Sequence, residues 1–133
     1  MTVSRTPVNP WPWSVEMGFN QGEIVVGKSR ELICAGQTAM SADGEPQHAG
    51  DMAAQVSMAL DNLEAVLAGA DMTLANVVRL NIYTTDVDAF FEAMGVFSPR
   101  LAAAGVRPPG TLLGVSRLAF PELMVELEAT AVE

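Results

Sequence analysis

Between Asp51 and Ala70 the apolar residues Met52, Val56, Ala59, Leu60, Leu63 and Leu67 recur at three- and four-residue intervals. That spacing puts them on one face of an α-helix, which Asp51 can cap and Gly69 can end. Residues 86–104 repeat the pattern through Phe90, Met94, Phe97 and Leu101. Asp86 or Asp88 can cap this second helix and Gly105 can close it, while Pro99 predicts a kink or break near Phe97. Elsewhere the period shortens to two. In residues 77–83, Val77, Arg79, Asn81 and Tyr83 alternate with Val78, Leu80 and Ile82, the pattern of a strand with one polar face. Residues 21–27 and 31–37, around the turn Lys28-Ser-Arg30, predict a hairpin. Two further strands, residues 111–117 and 124–131, are predicted to be joined by a short turn. Asp43-Gly44 marks a turn within residues 41–46. Pro7, Pro10 and Pro12 predict that residues 1–14 form an extended segment without regular structure, with Trp11 and Trp13 packed back on the body or on a neighbour.

The resulting order, β-β-α-β-α-β-β, is that of an α+β sandwich with both helices on one face of a mixed sheet. Its 133 residues fit a single domain, residues 1–133. The strands read as apolar on both faces, which predicts that the second face is buried against other copies in a closed cyclic oligomer.

Charge and composition narrow the function. The net charge is −9 and only seven residues are basic, scattered from Arg5 to Arg117, so a nucleic-acid partner is disfavoured. One cysteine, Cys34, excludes an intrachain disulfide and suits a reducing compartment. It reads as a small buried strand residue, and His48, the lone histidine, as a solvated loop residue. No signal peptide and no membrane-spanning apolar run is evident, so a cytoplasmic protein is expected. Gly-rich phosphate loops, paired cysteines and His-Glu-x-x-His are absent, so no metal and no cofactor are expected.

Several stretches resemble one family. These are Ala35-Gly-Gln37 after an apolar strand, Gln55-Val-Ser-Met-Ala-Leu-Asp-Asn-Leu63 in the first helix, and residues 77–86. Val115-Ser-Arg-Leu118 and Val125-Glu-Leu-Glu-Ala-Thr-Ala131 complete the set. They are similar, in order and spacing over residues 18–132, to the RidA/YjgF family of reactive-intermediate deaminases. The resemblance implies a ferredoxin-like (chorismate-mutase-like) sandwich. It also implies a homotrimer with a barrel-like centre and ligand clefts between subunits. Family members hydrolyse enamines and imines to 2-keto acids and ammonia without a cofactor of their own.

That chemistry needs a cation for the substrate carboxylate and a polar group that handles water and a proton. By the resemblance, Glu126 matches the family's glutamate and is the candidate catalytic residue. Its alternative reading is a solvated side chain, or one paired with Arg117. The family's carboxylate-binding arginine falls on Gly110. Arg107, three residues upstream, is the nearest replacement, and an arginine placed at 110 is expected to restore a carboxylate site. The family's tyrosine becomes Phe19, the serine before Gly36 becomes Ala35, and Met94, Leu112 and Gly114 replace other lining residues. The expected cleft is more apolar than the family's, with Glu126 as its main polar group. The expected partner is a small molecule. The first function reading is hydrolysis of a small imine, enamine or related C–N compound without the usual carboxylate clamp. The alternative is a trimeric metabolite-binding protein without turnover, and RNA cleavage ranks third.

Overall fold

The computed structural model describes residues 2–133. Its strands are β1 (Ser4–Val8), β2 (Gly22–Val26), β3 (Glu31–Ile33), β4 (Val77–Thr84), β5 (Leu112–Gly114) and β6 (Val125–Val132). Its α-helices are α1 (Trp13–Glu16), α2 (Met52–Gly69), α3 (Val87–Glu92) and α4 (Met94–Ala103). The main sheet has the order β3-β6-β4-β5, and β1 and β2 form a separate antiparallel ribbon. β4 is antiparallel to β6 and parallel to β5, so the sheet is mixed. The α+β arrangement with α2, α3 and α4 against one sheet face is as expected.

α2 follows its sequence pattern closely. The six periodic apolar residues are buried, together with Gln55. The Asp51 side chain accepts from Ala54 N at 3.0 Å, satisfying one of the free N–H groups of the first turn. Gln55 carries no charge and is wholly buried, yet all its polar atoms are used. It donates to the carbonyls of His48 and Glu122 and accepts from Met124 N. α2 thereby grips the chain immediately before β6.

Five expectations are corrected. Part of the N-terminal segment expected to lack regular structure does form it: Ser4–Val8 pair with β2, with Pro7 opposite Glu23, and Met1 lies outside the described residues. An edge strand can hold a proline because only one of its sides is paired. For the same reason β2 and β3 are not a hairpin. The chain after β2 is captured by the C-terminus instead, with Ser29 N and Arg30 N donating to Glu133 O, and β3 runs along β6. The two C-terminal strands are not a hairpin either; β4 lies between them. The second helix is interrupted at Ala93 rather than at Pro99, which sits inside α4. Its predicted face holds: Phe90, Phe97 and Leu101 are buried and Met94 is half-buried.

The fifth correction concerns the sheet's second face. A register shift between Val77 and Arg79 makes Val78 an extra residue. Val77 therefore turns inward with Leu80, while Arg79, Asn81 and Tyr83 face outward. On β6, Val125, Leu127, Ala129 and Ala131 are buried, and Glu126, Glu128 and Thr130 lie opposite the outward residues of β4. The centre of the outer face is polar, not apolar. Apolar exposure lies at its flanks, where Ile33 is 77% and Leu113 49% exposed.

Candidate functional site

Glu126 sits at the second position of β6, opposite Tyr83. The neighbouring segment brings Gly36 onto it. Ile33 pairs with Thr130 and Gln37 with Leu127, leaving three residues of one chain segment facing two of the other. Cys34 N donates to Ala129 O at 3.0 Å, and Gln37 N to Leu127 O at 2.7 Å. Ala35 and Gly36 bulge between these two fixed points. The Glu126 carboxyl fills the space that a side chain at 36 would take: a Cβ there would lie 2.6 Å from Glu126 Cδ. A side chain at 36 would therefore displace this carboxylate.

The pocket around it also takes in Tyr83, Glu128 and Arg117. Asn81 Nδ2 and Tyr83 Oη both donate to Glu128 Oε1, at 3.0 and 2.9 Å, and Asn81 Oδ1 accepts from Thr111 N. The bond from Asn81, then that from Tyr83, holds the Glu128 carboxyl below its ordinary value of 4.5. The same bond to Glu128 pushes the Tyr83 phenol above its ordinary 10.0. Arg117 donates to the carbonyls of Leu118 and Ala119 in its own loop and, among the described residues, forms no ion pair. Arg117 lines the same pocket as Glu126 and Glu128. Glu126, expected as the main polar group of its cleft, shares this pocket with Tyr83, Arg117 and Glu128. The signal was present in the alternation Arg79-x-Asn81-x-Tyr83 facing Glu126-x-Glu128.

The other expected site residues lie elsewhere. Phe19, Met94, Gly110 and Leu112 line an apolar cavity of about 190 Å³ between β4, β5, α3 and α4. Leu80 and Ile82 form its β4 wall. Side chains alternate along a strand, so this cavity and the Glu126 pocket lie on opposite faces of β4. A single chain does not bring them together. Arg107 lines an adjoining groove with Glu16, Ser98 and Gly105 and does not reach Glu126. Ala35 is exposed in the bulge, and Gly114 is exposed on β5 outside both pockets. Gly110 approaches β4 so closely that a Cβ would lie 2.6 Å from the Leu80 carbonyl carbon and nearer still to its oxygen. The expectation that an arginine at 110 restores an anion site is therefore corrected, because that backbone has no room for any side chain.

Among the described residues, no group of three His, Cys, Asp or Glu side chains is placed to hold a metal. No helix is long and apolar enough to cross a membrane.

The family model for endoribonuclease L-PSP matches residues 15–133. The chain belongs to the RidA/YjgF family. RutC family protein YjgH from Escherichia coli is 33% identical over 117 residues, 88% of each chain. The crystal structure of the Rid family protein YyfB from Yersinia pestis, described as of unknown function, superposes with a TM-score of 0.85. It is 34% identical over 97% of this chain and 98% of its own. E. coli TdcF with bound serine shares the fold at a TM-score of 0.70 and 22% identity, over 86% of this chain and 87% of its own. Membership of the RidA/YjgF family supports a function on small molecules.

Proposed function

We propose that this RidA/YjgF protein works as a homotrimer that hydrolyses a small imine or enamine, with Glu126 as the proton-handling residue. The observation that carries the proposal is the Glu126 carboxylate held over the Gly36 backbone at the rim of β6. Its chemistry is that of a general base and acid. Glu126 takes a proton from water as the water oxygen attacks the imine carbon and the C=N π pair moves to nitrogen. The proton then passes to nitrogen, and the carbinolamine collapses to a carbonyl with loss of ammonia. Tyr83 and Glu128 fix the opposite wall.

Two features support the trimer. The site's two halves lie on opposite faces of β4, so a neighbouring copy has to supply one of them. Exposed Ile33, Leu113, Ile24 and Val26 provide apolar area for such contacts. Glycine at 110 and the remote position of Arg107 leave this member without the family's carboxylate clamp, so its substrate depends less on a carboxylate than the archetype's. That E. coli TdcF binds serine supports a small-molecule ligand. A cytoplasmic setting agrees with the single thiol, which burial pushes up and keeps inert.

The test generates imines in situ, 2-imino acids with an amino-acid oxidase and carboxylate-free imines with a flavin amine oxidase. Semicarbazide traps what remains. Wild-type protein should speed loss of at least one imine, and Glu126→Gln should lower that rate by about 10²-fold or more. No acceleration on either class leaves the binding-protein reading, which the missing clamp favours. Acceleration unchanged by Glu126→Gln removes the role given to Glu126.

A further inference from the structure

We infer that the apolar cavity is the specificity pocket of this protein and takes an uncharged, branched aliphatic or phenyl-sized group, so that the substrate carries no carboxylate at that end. This deepens the reading above and rests on it for the reaction, though not for binding. The cavity wall is built from Phe19, Ile82, Phe90, Met94, Phe97 and Leu112, and no titratable side chain lines it. An anion would lose its hydration there without gaining a partner. Position 110 supplies no cation, since its backbone lies against the Leu80 carbonyl. A volume of about 190 Å³ admits a small side chain but not a peptide or a helix. The pocket is also rigid at its base, where Phe90 and Phe97 meet edge to face at 5.4 Å and both are buried. The class of reaction that supplies such a substrate is oxidation of a simple amine, which yields RCH=NH; its hydrolysis gives RCHO and NH₃.

Calorimetry on the wild-type trimer with three probes tests this: 3-methylbutanamide, 3-methylbutanoate and acetamide. The branched amide should bind, with the carboxylate and acetamide each at least about tenfold weaker. Trp13 stacks edge-on against Phe19 at 5.8 Å, so its fluorescence should change with the branched amide. Met94→Trp should abolish binding by filling the cavity. Met17→Trp, at an exposed rim position, should do the same without disturbing the core. Equal or tighter binding of 3-methylbutanoate, equal binding of acetamide, no binding of any probe, or binding that survives both variants would each overturn the inference. Binding needs no turnover and is scored separately from hydrolysis. Failure here therefore leaves the hydrolysis reading standing, and absent hydrolysis with binding intact removes that reading alone.

Discussion

Two glycines make opposite demands at the scale of the residue. At Gly36 an added Cβ meets the far end of a flexible side chain, whereas at Gly110 it meets backbone. Gly36→Ala should therefore keep its stability within about 1 kcal/mol, because Glu126 can swing away, while imine hydrolysis falls with the displaced carboxylate. Gly110→Ala should cost several kcal/mol, roughly 2–4, because β4 and the 108–110 segment must separate. Urea unfolding beside the semicarbazide assay distinguishes the two. Glu126 itself was legible in the sequence as a lone acid between Val125 and Leu127 on a strand. Its partnership with Gly36 was not, because it depends on one extra residue in a bulge, and hydrophobic patterning carries no count of bulges.

Elements were legible where their stability is local. α2 and the buried face of α3 and α4 follow from periodicity, since one apolar stripe against the sheet accounts for each. Strand pairing failed because it is decided at long range. Nothing within residues 21–37 announces that β2 will pair with the proline-bearing β1, or that Arg5 will tie this ribbon to the carbonyls of Ala75 and Val77. Between β4 and β6 the polar ladder has a consequence for pH. The folded state holds Glu128 ionised through Asn81 and Tyr83, so its carboxyl titrates below 4.5. The stability this contributes is present above the ordinary carboxylate value and is lost as pH falls through the lowered one. Glu128→Gln should flatten the dependence of stability on pH across that acidic window. An unchanged slope in urea melts taken from neutral pH down to about pH 3 would show that the ladder contributes nothing.

For the whole molecule, the sequence resemblance supplied the family and the expectation of clefts between subunits, and the alternation of β4 supports that expectation. Leu80 and Ile82 face the apolar cavity while Tyr83 faces Glu126, so the account requires neighbouring copies to build each site. Sedimentation should return a trimer at micromolar concentration, and a monomer would contradict it. The most direct test mixes two defective chains. Glu126→Gln lacks the proton-handling group and Met94→Trp has a filled cavity; each alone should be inactive while remaining trimeric. Co-assembled in equal amounts, they should regain about a quarter of the wild-type rate, the share of interfaces that pair an intact Glu126 with an open cavity. A mixture no more active than its two parents would mean that the two halves of the site do not meet between subunits.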